Sequence, residues 1–200
     1  MKYQTSQEGF SLVETLVAIT ILLVVIVGPM TISSSAAKST SFASEQVVAF
    51  FLAQEGAELA QKARDDILLR KFLPTLDINY LSDPWSLFAS SALGAPYENC
   101  FKASGCGLEL NTDTAGSIKT PIPVCSSSNC KLYFDNSDVR SRYTYSSVGN
   151  DDTLYTRVVF FETVNADELH VTSRVTWRTG AQRDAQEVTV ETYLLDVYGN

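Results

Sequence analysis

An almost uninterrupted apolar run near the N-terminus constrains this chain more than any other feature. From residue 10 to residue 32 the only ionisable side chain is that of Glu14. A helix over this range is about 34 Å long, and the hydrocarbon core of a bilayer is about 30 Å thick. No other stretch of the sequence is comparably apolar. The run therefore predicts one membrane-spanning helix, with the remaining chain on one side of the membrane.

Glu14 is the feature of this run that needs a reason. A carboxylate in a lipid-facing helix costs about 3 kcal/mol at mid-bilayer and less near the interface. Such a group therefore has a partner or a task in most membrane proteins. A plain single-pass anchor would not explain why a carboxylate is placed there.

A cleaved secretory signal is the competing interpretation of the run. The small residues 33–37 would suit a signal peptidase, but the apolar run exceeds the usual length of about 7 to 15 residues. The segment before it is also hardly basic, since Lys2 is its only cationic side chain and Glu8 offsets it. These flanking charges favour a cytoplasmic N-terminus only by a small margin.

The residues from Gly9 to Glu14, GFSLVE, resemble the processing site of type IV pilins and of the pseudopilins of type II secretion. The resemblance implies a hydrophilic leader, residues 1–9, that a membrane-embedded prepilin peptidase cuts after Gly9 on the cytoplasmic side. It also implies N-methylation of the new terminal residue, Phe10. A glycine before the cut is physically reasonable, because a side chain there would obstruct a tight protease cleft.

The same resemblance gives Glu14 a role in assembly. Cleavage leaves a cationic amine on Phe10, and opposite charges attract strongly in an apolar medium. In the family, the glutamate of one subunit is thought to meet the terminal amine of its neighbour and to set the register of the filament. Pairing of the amine with Glu14 of the same chain remains open.

Gly28 and Pro29 interrupt the apolar run, because proline lacks a backbone donor and clashes with the preceding turn. We expect a kink there, either a bend used in filament packing or a tolerated kink of a membrane helix.

A second helical pattern follows the span. Residues 33–44 are small and suit either a helix or a flexible link, whereas residues 45–72 are amphipathic and end before Pro74. The apolar positions recur at helical spacing and are Val48, Leu52, Leu59, Ala63 and Ile67. We expect them to pack on the chain's own sheet. The stretch LAQEGAELAQKARDD is similar to the stalk of PilV-type minor pilins and of the I-subunit minor pseudopilins of type II secretion.

Residues 73–130 are rich in Pro, Gly and Ser and predict an irregular region. They contain all four cysteines, which are Cys100, Cys106, Cys125 and Cys130. Beyond a membrane anchor, four cysteines favour two disulfides in an oxidising compartment, and both local and crossed pairings are open. A zinc site is the rival interpretation, but the cysteine spacings do not match a two-residue knuckle.

Residues 131–200 have the composition of antiparallel strands. We predict strands over residues 131–135, 142–147, 153–164, 169–178 and 187–198. In the fourth, Leu169, Val171, Val175 and Trp177 alternate with polar residues, which indicates one buried face. The amphipathic helix would cover that face, giving an α+β fold in which a long N-terminal helix packs on a C-terminal antiparallel sheet. The closing strands are also similar to those of PilV-type minor pilins.

Bulk charge and the remaining polar residues exclude several classes of function. The net charge of -8, with scattered Lys and Arg, makes nucleic acid an unlikely partner. His170 lies on the predicted polar face without a nearby nucleophile, and we interpret it as a solvated surface residue. With Arg174 and Arg178 it forms a short basic stripe, for which DNA contact is the weaker alternative. We find no catalytic motif and predict that the chain is not an enzyme.

No cofactor is expected, although two oxygen-rich clusters could contribute ligands to calcium. Asp135, Asn136 and Asp138 form one oxygen-rich cluster, and Asn150, Asp151 and Asp152 form another. Neither matches the spacing of an EF-hand loop, and turn formation explains both clusters.

Together these features predict a structural subunit of a type IV pilus, of the minor pilin kind. It would be a single-pass protein of the cytoplasmic membrane, with its C-terminal part outside, and would then join a cell-surface filament. Its predicted segments are the leader 1–9, the membrane helix 10–32, the soluble helix 33–72, the irregular region 73–130 and the sheet 131–200. The alternatives are a minor pseudopilin of type II secretion and a membrane-anchored binding or adhesion domain that never polymerises.

Overall fold

The computed structural model describes residues 9, 11–70, 83–111, 117–119, 122–126, 130–137, 141–179 and 184–197. It contains two α-helices and five strands within these ranges. The helices are α1 (Leu12–Arg70) and α2 (Pro84–Phe88). The strands are β1 (Lys131–Asp135), β2 (Arg142–Thr144), β3 (Asp151–Asn165), β4 (Glu168–Trp177) and β5 (Gln186–Leu195). The chain divides into two compact units, residues 1–45 and 46–200.

The first unit is the N-terminal part of α1, and its apolar side chains are exposed. Threonine hydroxyls in this helix donate to carbonyls of the preceding turn, as Thr15 does to Leu12 and Thr20 to Val17. These bonds keep the hydroxyl groups satisfied in an apolar helix. Residues 33–44, for which the sequence left two possibilities open, are helical.

The second unit contains the sheet, with strand order β2-β1-β3-β4-β5 and every neighbouring pair antiparallel. All five predicted strands are present, although β2 ends at Thr144 and β5 ends at Leu195, both earlier than predicted. Strand β3 begins at Asp151, so Asp151 and Asp152 belong to the strand and not to the predicted turn. Leu169, Val171, Val175 and Trp177 are buried, which confirms the predicted inner face of β4.

The part of α1 that follows Gln46 covers this inner face, and together they give the predicted α+β fold. Its buried surface combines Leu52, Leu59 and Ile67 with a row of small residues. The small residues are Ala49, Ala53, Gly56, Ala57, Ala60 and Ala63. Small side chains let the helix backbone approach the sheet closely. The approach is tightest at Gly56, where an added Cβ would overlap the Ser173 hydroxyl and lie 3.1 Å from Cδ of Arg157.

We expect Gly56→Ala to lower the free energy of unfolding by about 1 to 3 kcal/mol, because the new methyl group has no space against β4. Alanine improves helix propensity by about 1 kcal/mol, so a net loss would show that the contact with the sheet dominates. The measurement is denaturant unfolding. Gln54→Ala, on the exposed side of the same helix, is the control and should change stability by less than about 0.5 kcal/mol.

The described part of the region predicted to be irregular contains one short α-helix and contributes side chains to the core. Asp83 caps α2 by accepting a hydrogen bond from the Ser86 amide, and Pro84 occupies the first turn. Trp85 donates from Nε1 to the Ala166 carbonyl at 2.7 Å. Phe88 packs against Phe161, with 5.5 Å between the ring centroids. The short helix therefore anchors this region beneath the β3–β4 hairpin.

Both disulfides join cysteines that are close in sequence, Cys100 to Cys106 and Cys125 to Cys130. The first places Cys106 beside β3, where Cys106 and Val159 exchange two backbone hydrogen bonds of 2.9 Å. The carbonyl of Cys130 accepts from the Arg157 amide at 3.0 Å. The described residues around the four cysteines, called the cysteine region below, thus extend the sheet. They pair with the part of the β3 edge that β1 does not reach.

Arg157 is the buried charge that the sequence did not reveal, and only 1% of it is exposed. Its guanidinium donates to Glu55 of α1 at 2.7 Å, to the Leu108 carbonyl at 3.0 Å and to the Tyr145 hydroxyl at 3.1 Å. Burial alone would lower the pKa of Arg157, but Tyr145 and Glu55 outweigh burial and raise it. The charged side chain therefore joins the helix, the sheet and the cysteine region.

Candidate processing and assembly site

The predicted cleavage position lies directly before the first turn of α1. Gly9 is exposed, and the helix begins at Leu12. The Ser11 carbonyl accepts from the amides of Glu14 at 2.9 Å and Thr15 at 3.1 Å, which closes that turn. Phe10, the predicted new terminus and methylation site, lies outside the described residues. An exposed glycine at the end of a helix gives a protease access to the backbone without a side chain in the way.

Glu14 lies in the first turn of α1 and is exposed. The amide groups at a helix N-terminus carry partial positive charge, so a carboxylate is favourable there. Cleavage after Gly9 would add a full positive charge on Phe10 nearby. A single acidic group at this end of the helix can therefore bind a terminal amine, and its exposure makes it accessible to a second chain.

The helix around Glu14 presents apolar side chains on all sides. Leu12, Val24 and Ile32 are exposed to 79%, 75% and 72%. The helix has the length and the apolar composition needed to cross a membrane, and its most apolar window is not buried by any described part of the chain. A surface of this kind requires lipid or other apolar helices as its environment.

Gly28 and Pro29 lie inside α1, and the helix continues through them. The hydroxyl of Thr31 donates to the Gly28 carbonyl at 2.8 Å. Because Pro29 has no amide hydrogen, it cannot donate the helical bond to the carbonyl four residues earlier. This missing bond makes the position a weak point of the helix, and the kink remains a prediction.

The interpretation of His170 as a solvated residue is wrong. Its side chain is only 17% exposed and stacks on Tyr193, with 4.7 Å between the ring centroids. Glu162 lies 3.7 Å from Nδ1 and Glu191 lies 3.4 Å from Nε2. Cross-strand neighbours on the outer face of the sheet cover the imidazole, which the alternating pattern of β4 alone could not show.

The other two members of the proposed basic stripe differ in their surroundings. Arg174 lies over the ring of Phe160 at 4.6 Å, and Arg178 follows the end of β4. Two glutamates flank the third member, His170. A polyanion approaching this face would therefore meet carboxylates beside the cations, and the stripe is a poor surface for DNA.

The two oxygen-rich clusters are engaged in local contacts. Asp135 accepts from the backbone and hydroxyl of Ser137 and from Arg142 at 3.0 Å, and the Ser137 bonds, followed by those of Arg142, lower the pKa of its carboxyl group. Asp151 accepts from Asn136 at 3.2 Å, and Asp152 pairs with Lys131 at 3.0 Å. Asp138 lies outside the described residues. In the described ranges, no group of three or more His, Cys, Asp or Glu side chains is arranged for a metal ion.

Comparison with known families gives one match. The model described as the prokaryotic N-terminal methylation motif matches residues 4–28. These residues include the predicted cleavage junction, Glu14 and most of the exposed apolar helix. The match supports a type IV pilin-like family and implies processing by a prepilin peptidase. Searches of curated proteins and of solved structures find no match for the chain.

Proposed function

We propose that this chain, whose N-terminal methylation motif supports a type IV pilin-like family, is a structural subunit of a type IV pilus, of the minor pilin kind. It is made with the leader 1–9, cut after Gly9 by prepilin peptidase and methylated on Phe10. Residues 10–32 hold it in the cytoplasmic membrane until it joins a filament. The observation that carries this proposal is the match of the motif to residues 4–28, directly on an apolar helix that the described chain leaves uncovered.

The apolar helix serves two environments in this proposal. In the membrane, lipid covers side chains such as those of Leu12 and Val24. In the filament, the helices of neighbouring subunits replace the lipid. Burying a large aliphatic side chain in place of exposing it to water is worth about 1.5 to 3 kcal/mol. Transfer of the helix from membrane to filament is therefore feasible only if the helices of neighbouring subunits replace the lipid directly, without exposing the apolar side chains to water.

Glu14 supplies the specificity that apolar contact lacks. Apolar helices pack in many registers of similar energy, whereas a buried carboxylate needs its cation at one position. The methylated amine of Phe10 on a neighbouring subunit is that cation. A single charge pair thereby selects one axial offset between subunits.

The second unit is built for the outside of the cell. Its two disulfides belong to an oxidising compartment, and Cys100 and Cys106 are fully buried in the core. Disulfides in this unit agree with a cytoplasmic N-terminus and an exported C-terminal part. The α+β unit is then the part of the subunit that remains accessible in the filament.

Replacing the residue before the cut tests the processing step. Gly9→Val is expected to block cleavage by co-expressed prepilin peptidase, because a branched side chain obstructs the approach of the backbone to the catalytic site. Immunoblotting would show the chain accumulating at the precursor position. Gly28→Val, inside α1 and far from the cut, is the matched control and should be processed like the wild type. Cleavage of the Gly9 variant at the normal rate would contradict the proposal.

A further inference from the structure

We infer that the outer edge of β5 is a docking site for an extended, basic segment of another protein, which adds to the sheet as a sixth strand. The inference rests on the second unit of the chain and does not depend on the proposed assembly through α1. Four features support it: the direction of the backbone groups, the length and regularity of the strand, its charge and its half-buried inner face.

The direction of the β5 backbone groups follows from the hydrogen bonds of β3. The amide and carbonyl of Val159 both bond to Cys106, so they point away from β4. Val159 is opposite Ser173, so the amide and carbonyl of Ser173 also point away from β3 and towards β5. On β5, Ser173 is opposite Val190. Because these directions alternate along antiparallel strands, Val190 and the other even-numbered residues of β5 bond to β4. The odd-numbered residues direct their amides and carbonyls to the outer edge.

Four β5 residues have outward backbone groups at this edge, and they are Glu187, Thr189, Glu191 and Tyr193. Within the described part of the chain, no backbone group bonds to them from outside the sheet. The outward carbonyl of Leu195 differs, because Arg64 lies 3.5 Å from it and closes that end. The open edge is therefore the segment from Glu187 to Tyr193.

This edge lacks most of the devices by which sheet edges avoid pairing with other chains. Short strands, charged side chains (lysine above all), proline and bulges are the usual devices, and the two glutamates of β5 are the one that this edge has. Strand β5 has ten residues, pairs with β4 without a register shift and contains no Lys, Arg or Pro. The strand at the opposite edge, β2, has three residues. A long and regular edge without lysine, proline or a bulge is a template for strand addition.

The charge of β5 selects the partner. Glu187 and Glu191 project from the outer face, and Asp184 and Asp196 flank the strand. The facing groups on β4 include His170, 3.4 Å from Glu191. Pairing two β5 strands would bring four glutamates onto one face, and like charges on neighbouring strands are destabilising. A second copy of this chain is therefore disfavoured, and a strand with Lys or Arg on that face is favoured.

The inner face of β5 determines which side chains the partner strand needs on its own inner face. Val188 and Val190 are half-buried, whereas the inner-facing residues of β4 are buried. An added strand with β-branched residues on this face would cover both valines. The expected partner segment thus alternates basic residues on one face with Val, Ile or Thr on the other.

The test uses the full-length chain in detergent micelles and a fluorescein-labelled peptide that alternates Lys with Val and Thr. Fluorescence anisotropy should show saturable binding. Thr189→Pro removes an outward amide without removing a β4 bond, so it should weaken binding about tenfold or more, while Thr189→Ala should bind as the wild type does. Thermal melting checks that both variants are folded.

Two further measurements make the test decisive. A peptide with Glu in place of Lys should not bind, and amide hydrogen exchange should slow at Thr189 and Glu191 when the basic peptide is added. Absence of binding by the basic peptide, or equal binding by the proline and alanine variants, would overturn the inference. Slowed exchange at these amides that grows with protein concentration, without peptide, would identify a second copy as the occupant and would also overturn it.

Discussion

Replacing Glu14 with alanine is expected to lower incorporation of the mature chain into filaments by about two orders of magnitude. The amine of a neighbouring Phe10 would then enter an apolar environment without an anion. Removing one partner of a buried ion pair costs about 3 to 5 kcal/mol, which corresponds to a factor of about 10² to 5 × 10³ in an equilibrium constant. The measurement is the fraction of the chain in sheared filaments relative to membranes, by immunoblot.

Two variants separate the charge from other effects of this substitution. Glu14→Gln keeps the size and polarity of the side chain but removes the charge, so it should fail as alanine does. Thr15→Val, at the next position, removes a hydroxyl that bonds only within the helix and should assemble normally. All three variants should still be cleaved, because the cut precedes Phe10. Normal assembly of the glutamine variant would contradict the role of Glu14.

Replacing Arg157 with methionine is expected to lower the free energy of unfolding by about 3 kcal/mol. The variant leaves the Leu108 carbonyl without its donor and Glu55 without its cation. The Tyr145 hydroxyl loses one of its two hydrogen bonds and keeps the one that it donates to the backbone carbonyl of residue 157 at 3.3 Å. Each buried group that loses its partner costs about 1 to 3 kcal/mol, while half-exposed Glu55 recovers part of its loss through solvent. Denaturant unfolding in mild detergent, followed by the fluorescence of buried Trp85 and Trp177, measures the change.

Arg142 provides the matched control for Arg157. It also pairs with a carboxylate, Asp135 at 3.0 Å, but its side chain is 40% exposed. Arg142→Met should therefore cost no more than about 1 kcal/mol. Equal losses for the two variants would show that the buried network does not hold the helix, the sheet and the cysteine region together.

Much of the fold could be predicted from the sequence, because buried apolar residues recur at the regular spacing of a helix or a strand. The alternation in β4 identified the inner face, and the spacing of Leu52, Leu59 and Ile67 identified the covering face of α1. Both patterns depend only on local backbone geometry, because side chains return to the same face about every 2 residues in a strand and about every 3.6 residues in a helix. Strand ends were less accurate, since β2 and β5 end where pairing ends and composition does not mark that point.

Contacts between distant segments could not be predicted. The burial of Arg157 depends on Glu55 and Leu108, which are far from it in sequence. His170 is covered by Glu162 and Tyr193 from neighbouring strands. In both cases the side chain is polar, so local pattern predicts exposure. The α2 helix is not predicted for another reason, because it is short and Pro84 at its start is also a signal for loops.

The candidate site is the opposite case, since it is local in sequence. Gly9, Glu14 and the apolar run occupy one continuous segment, and the family match covers the same residues. Recognition of that segment needs no tertiary contact. Its role in assembly, however, involves a second chain, and one subunit contains only half of the proposed charge pair.

Mass spectrometry of the N-terminal peptide from the native protein tests the central claim most directly. The chain should be purified from its own cells, digested and sequenced without prior enrichment. The peptide is expected to begin at Phe10 and to carry a methyl group on its amine. A peptide that retains Met1, or one that begins near Ala37, would contradict processing by prepilin peptidase and the assembly that depends on it.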